Sequence, residues 1–158
     1  MQSYLKSSGL KRSVLILLLI FFSTYTFAQD AMKNENSVAI NLKDGNIKWG
    51  ACPDLIPNGC QVTVLNGDIT LNNADVLFRF EPNTDIPEHW HNSAERMILL
   101  QGELEVTYEG EETRILKEGF YAYGPEKKAH NARCSGGEPC LLFVAFEKPV
   151  DAFAGKSN

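Results

Sequence analysis

The chain has 158 residues, with 15 Lys and Arg against 20 Asp and Glu, a formal net charge of −5. Such an acidic balance lacks the basic footprint that nucleic-acid or anionic-membrane partners require. Its reactive side chains include only three histidines and four cysteines, few enough that the position of each is informative.

Residues 1–28 have the layout of a secretory signal peptide. Lys6, Lys11 and Arg12 precede an apolar run at 14–22, and Thr26-Phe27-Ala28 places small residues before Gln29. Nine apolar residues are far fewer than the roughly 20 a bilayer-spanning helix needs, although a short retained anchor is the competing reading. Removal of this segment leaves 130 residues, enough for one domain, with a formal charge of −8. The expected location is periplasmic or secreted, without stable membrane insertion once the signal is removed.

Residues 29–46 are polar and aperiodic and read as a flexible leader or an edge arm. From residue 47 the pattern changes to short β-type runs at 61–66, 75–81, 87–91, 95–101, 103–109, 112–116, 119–123, 129–134 and 140–146. Turn signals separate them, among them Asn66-Gly67-Asp68, Glu109-Gly110-Glu111 and Gly124-Pro125. This density of strands predicts an all-β barrel or sandwich over 47–148. Residues 149–158 are expected to form a C-terminal tail, with at most a turn of helix at 149–154. Leu104, Val106 and Tyr108 alternate with Glu105, Thr107 and Glu109, which marks a scaffold hairpin with one buried face and no assigned chemistry.

Four cysteines in an exported chain suggest two disulfides, Cys52 with Cys60 and Cys134 with Cys140, each closing a short loop. Free thiols are the alternative, and Cys134 would then face the barrel interior.

All three histidines belong to one pattern. His89 and His91 stand two apart on a predicted strand and so project to the same side, roughly 7 Å apart along it. Both imidazoles can then reach one metal ion at about 2.0–2.1 Å. Glu95 opens the next apolar run and can add a carboxylate oxygen, while His130 arrives from elsewhere in the chain.

These residues resemble the cupin superfamily over roughly 47–146. The first cupin motif, G-x₅-H-x-H-x₃₋₄-E-x₆-G, is matched by His89, His91, Glu95 and Gly102, with Asn83 in place of the leading glycine. The second, G-x₅-P-x-G-x₂-H-x₃-N, is matched by Gly119, Pro125 and His130. Lys127 replaces its inner glycine and Cys134 its asparagine. The segments around Pro53 to Gly59 and Leu65 to Asp68 resemble the leader of small single-domain bacterial cupins. The resemblance implies a jelly-roll β-barrel holding one divalent transition metal (Fe, Mn, Ni, Cu or Zn) on His89, His91, Glu95 and His130. It also implies pairing into a homodimer through outer strands.

Strand alternation puts Met97 and Leu99 on the face of Glu95, and Ala132 and Cys134 on the face of His130. Phe78, Phe80, Tyr121, Tyr123 and Phe143 are further candidates for lining the cavity. Tyr121 and Tyr123, ranked equally, are the candidate catalytic residues, because a phenol near the metal could donate or accept a proton.

Cupins include dioxygenases, decarboxylases, isomerases and lyases. Arg79 is the nearest candidate for an interior cation, and Met97 stands where a cupin lyase would want a tyrosine. By elimination the first reading is dioxygenase-type chemistry on a small organic molecule. The alternative is a non-catalytic, metal-dependent module that binds or senses a small ligand; a metal-free barrel is a third.

Overall fold

The computed structural model describes residues 36–56 and 58–157. The expected signal peptide at 1–28 and residues 29–35 of the leader lie outside the described residues. The elements are β1 (Gly50–Ala51), β2 (Cys60–Asn66), β3 (Ala74–Phe80), β4 (Asp85–Trp90), β5 (Glu95–Gln101), β6 (Glu103–Tyr108), β7 (Arg114–Lys117), β8 (Tyr121–Gly124), β9 (His130–Cys134), β10 (Cys140–Phe146) and β11 (Phe153–Ala154). Every pairing between them is antiparallel. One sheet has six strands in the order β1-β2-β3-β10-β5-β8, and the other has five in the order β11-β4-β9-β6-β7. The fold is all-β, as the strand pattern predicts, and of the cupin type that the motif resemblance implies. Among the described residues, no helix is long and apolar enough to cross a membrane.

The sheets form because apolar residues recur with period two, so that each strand turns one face to the core. In β5, Glu95, Met97 and Leu99 are buried while Arg96 and Ile98 are exposed; in β6, Leu104, Val106 and Tyr108 are buried. β10 alternates in the same way and joins β3 to β5 at the centre of the large sheet. Leu99 and Val144 lie almost wholly inside, and each such side chain contributes about 1.5–3 kcal/mol by leaving water.

Both disulfides are formed, Cys52 with Cys60 and Cys134 with Cys140, and no cysteine among the described residues is free. The second ties the end of β9 to the start of β10. Cys134 is therefore a staple and not a thiol at the metal site. Cross-links of this kind typically contribute about 2–4 kcal/mol.

The C-terminal segment differs from its expected form. Residues 149–154 contain no helical turn; Phe153 pairs with Trp90 and Ala154 with His89, which extends the small sheet by one strand. The Phe153 ring stacks on Trp90 at 4.5 Å. Ser93 anchors the chain just upstream, accepting hydrogen bonds from the Glu147 and Lys148 amides at 2.9 and 3.0 Å.

Both departures from the cupin glycines adopt left-handed backbone. Asn83 has φ +65° and Lys127 has φ +59°. The turns persist without glycine because neighbouring bonds hold them. Asn83 donates its amide to the Cys134 carbonyl at 2.8 Å, and Lys127 donates its own to the His91 carbonyl at 2.7 Å. The second of these ties the two motifs together.

Candidate metal centre

Register brings the site together at one end of the barrel. In the small sheet His130 lies between His89 on β4 and Tyr108 on β6, paired with both. In the large sheet Glu95 lies between Phe146 on β10 and Gly124 on β8. A bulge in β4 between Ile86 and His89 is essential to the arrangement. Pro87 and Glu88 both face solvent there, so Ile86 and His89 both point inward although they stand three positions apart. A regular strand would turn one of them outward.

The rings pack closely, with centroids 4.8 Å apart for His89 and His91, 4.3 Å for His89 and His130, and 5.3 Å for His91 and His130. Their ligand nitrogens all lie within 4.8 Å of one another. Two ligands about 2.1 Å from one ion can stand about 4 Å apart, so small ring rotations would complete the approach.

The outward nitrogens fix the tautomers. The Nδ1 of His89 donates to the Pro87 carbonyl at 2.7 Å, that of His130 to the Lys128 carbonyl at 3.1 Å, and that of His91 to the Asp151 carbonyl. A carbonyl only accepts, so each Nδ1 carries the proton and each Nε2 keeps its lone pair. This is the outer-shell arrangement that prepares imidazoles for a metal. The Asp151 carboxylate also accepts from the Asn92 amide at 2.9 Å and from its side-chain Nδ2 at 2.7 Å, which holds the C-terminal segment beside His91.

Glu95 completes the cluster, with Oε1 3.4 Å from His91 Nε2 and Oε2 3.5 Å from His130 Nε2. Burial pushes its carboxyl up to about 7, against a smaller opposing pull from His89. Burial also lowers all three imidazoles, His130 to about 3, with like-charge repulsion from its histidine neighbours adding to the effect. Four donors are thus held in a medium that suppresses their own charges. The buried His91 Nε2 has no hydrogen-bond partner. Unprotonated imidazoles, one carboxyl and an orphaned inward lone pair are together a donor set that suits a divalent transition metal.

The chamber around these donors has a volume of about 70 Å³. Phe78, Phe80, Ile86, Met97 and Phe146 contribute to its apolar wall, and no lysine or arginine reaches it. Phe143 does not line it, nor does Leu99, which is buried on the predicted face of β5. Arg79 lies on the outer face of β3, the face opposite Phe78 and Phe80, and lines a separate cleft outside the barrel.

Tyr121 and Tyr123 do not join the cluster. They are 61% and 48% exposed, because pairing of Glu95 with Gly124 turns the even positions of β8 inward and the odd ones out. The tyrosine that lines the chamber is Tyr108. Its ring centroid lies 4.7 Å from that of His130, its hydroxyl is buried without a partner, and burial raises its pKa, so it stays a neutral phenol. Tyr108 was visible as the one polar-tipped residue on the apolar face of its hairpin. Gly124 is also part of the site: a Cβ there would overlap the Tyr108 hydroxyl and lie 3.1 Å from Glu95 Oε2. Nothing in the local pattern marks Asp151.

Comparison with known proteins agrees with this architecture. A search of curated proteins finds no match. The polyketide cyclase RemF from Streptomyces resistomycificus is similar in structure, with a TM-score of 0.62, 16% identity, and coverage of 77% of this chain and 88% of that one. A cupin-like protein from Thermotoga maritima superposes with a TM-score of 0.58 at 21% identity, covering 72% and 90%. The DMSP lyase DddQ from Ruegeria pomeroyi gives 0.59 at 18% identity, with 68% of this chain spanning 60% of the lyase's length. At these identities the likeness extends to the fold alone. The family model for the cupin domain matches residues 76–146, a span that contains His89, His91, Glu95 and His130. Residues 76–146 are therefore a cupin domain.

Proposed function

We propose that this cupin holds one divalent transition metal on the Nε2 atoms of His89, His91 and His130, with Glu95 as fourth donor. On this reading it incorporates both atoms of dioxygen into a small, weakly polar organic molecule. The supporting observation is the convergence of three lone-pair-bearing imidazoles and one carboxyl in an apolar chamber. A redox-active metal in this setting would supply the means to activate dioxygen, a small apolar gas that such a chamber admits readily.

The protein's own residues divide the remaining work. The carbonyls of Pro87, Lys128 and Asp151 hold the imidazoles in one tautomer and orientation. The apolar wall excludes water, which strengthens every electrostatic interaction inside. Tyr108, kept neutral, can donate a hydrogen bond to Glu95 or to a substrate oxygen but is a poor base. The lack of an interior lysine or arginine argues against substrates that need a cationic clamp. Structural neighbours include a lyase, a polyketide cyclase and an oxalate oxidase, so the fold leaves the reaction type open. The contents of the chamber are what narrow it.

The reading includes export, with residues 1–28 as the signal peptide and 29–46 as a leader, in keeping with two disulfides. It also includes a homodimer. A second reading, a metal-dependent binding or sensing module, draws on the same small volume, since about 70 Å³ holds little beyond a metal and a few atoms of ligand. The test is elemental analysis of exported protein followed by oxygen uptake over small phenols and keto acids. Stoichiometric Fe, Mn, Ni or Cu with substrate-dependent uptake, both lost in His91→Ala, supports the oxygenase. Tightly held zinc without uptake supports the binding module.

A further inference from the structure

A second cleft lies outside the barrel, between the leader and the outer face of the six-stranded sheet. It has a volume of about 620 Å³ and is walled by Leu42, Ile47, Trp49, Leu100, Pro139 and Leu141. That volume falls within the range of small-molecule sites. Its half-buried cation is Arg79. One face of the guanidinium covers the Trp49 ring, with Cζ 4.9 Å from the ring centroid, and Nη2 donates to the Gln61 side-chain oxygen. The Nε atom is buried and has no hydrogen-bond partner.

No carboxylate among the described residues pairs with this guanidinium. Lys43 and Asp44 are the other charged groups in the lining, and Asp44 Oδ1 already accepts from the amide and Nδ2 of Asn46. A half-buried guanidinium held only by a neutral amide and an aromatic face lacks its best acceptor, because its planar fork matches a carboxylate. The buried, idle Nε–H carries a desolvation cost that such an acceptor would remove.

We propose that this cleft binds a small aromatic monocarboxylate, its anionic end on Arg79 and its ring against Trp49 and the aliphatic wall. Arg79 and Lys43 against Asp44 leave the lining one net positive charge, which sets one negative charge on the ligand, and the apolar lining calls for a flat carbon body. The site is separate from the metal chamber and stands whether or not that chamber is catalytic.

Nitrogen-15 labelled protein titrated with benzoate tests it, with the indole resonances of Trp49 and Trp90 read separately. Benzoate is expected to shift the Trp49 indole saturably in the millimolar range or tighter while Trp90 stays put. Benzamide, the same ring without the charge, should bind at least tenfold more weakly, as should benzoate to Arg79→Gln, in line with loss of a charge-assisted hydrogen bond. Gln101→Glu adds a carboxylate at an exposed position of the same lining and should weaken benzoate while leaving benzamide unchanged. Because that variant leaves the buried guanidinium untouched, it keeps the test open even where Arg79→Gln folds poorly. Equal affinity for benzoate and benzamide, an unaltered titration in Gln101→Glu, or no saturable shift at Trp49 would overturn the proposal.

Discussion

The chamber inside the barrel and the cleft outside it handle buried charge in opposite ways. Inside, every polar group can give up its charge: burial holds the histidines unprotonated and keeps Glu95 protonated up to about pH 7. Outside, the guanidinium of Arg79 has no neutral form to retreat to, because arginine is not deprotonated in proteins. The first region is a neutral set of donors suited to a cation, and the second is a cation without an anion. Titratable residues thus let one site relax when empty, whereas the other carries its unsatisfied charge permanently.

The largest expected effect separates the two regions outright. His91→Ala removes one of three convergent nitrogens, and metal content should fall from about one per chain to near zero by elemental analysis. The Trp49 indole resonance and its benzoate titration should not change. Loss of both responses together would mean that the chamber and the cleft are coupled.

Gly124→Ala comes next. Its methyl would overlap the Tyr108 hydroxyl and crowd Glu95, in a core that resists added volume at a cost of about 1–3 kcal/mol. Thermal unfolding should register the loss, and metal affinity should drop with it. Adding Tyr108→Phe, which deletes the colliding oxygen, should restore much of the stability. If the double variant is no better than the single one, the overlap is not the cause.

These two substitutions also divide what the chain discloses from what it hides. The clustering of these side chains was legible because an H-x-H pair, a glutamate and a distant histidine recur at the offsets of the cupin motifs. Nine strands were legible from period two and from their turns. The two-residue strands β1 and β11 are too short to show a period, and β11 exists because Phe153 stacks on Trp90. Inward and outward faces were harder to read beside Gly124-Pro125. The sequence shows Tyr121 and Tyr123 as a pair on one face, but only the pairing of Gly124 with Glu95 decides which face that is. Asp151 is fifty-nine residues from Asn92 in sequence, and no local pattern could reveal that it holds the loop beside His91.

The contrast in titration predicts different pH profiles. On the proposed ligand set, metal binding requires an ionised Glu95 and neutral imidazoles. Burial lowers all three imidazoles from 6.5, His130 to about 3, so the proton that must leave near pH 7 is that of Glu95. Affinity should therefore rise about tenfold per pH unit below 7 and level off above it, and Glu95→Gln should flatten the profile. Benzoate binding to the cleft should be indifferent to pH between 6 and 8.

Stability of the metal-free protein follows from the same shifts. Glu95 binds its proton more tightly folded than unfolded, so its contribution falls as pH rises from 4.5 to about 7. The histidines bind theirs less tightly folded, so their contribution is lost as pH falls below 6.5, for His130 down to about 3. Three imidazoles oppose one carboxyl, and the net result is acid lability below 6.5. Denaturant titrations of metal-free protein at pH 7.5 and 5.0 should find it weaker at 5.0.

The smallest effect belongs to neither region and should leave both intact. Lys127 occupies a left-handed turn at φ +59°, where a Cβ costs roughly 1–2 kcal/mol and glycine costs nothing sterically. Both the Lys127 amide bond to the His91 carbonyl and the backbone path to His130 survive replacement, because they do not involve the side chain. Lys127→Gly should therefore stabilise the fold, by less than the full strain because glycine also makes the unfolded chain more flexible. A rise in Tm of a few degrees is expected from a gain of about 1 kcal/mol in a domain of this size. Metal content and the benzoate titration should match the parent protein. A fall in Tm would mean that the lysine side chain contributes more to this turn than its backbone strain removes.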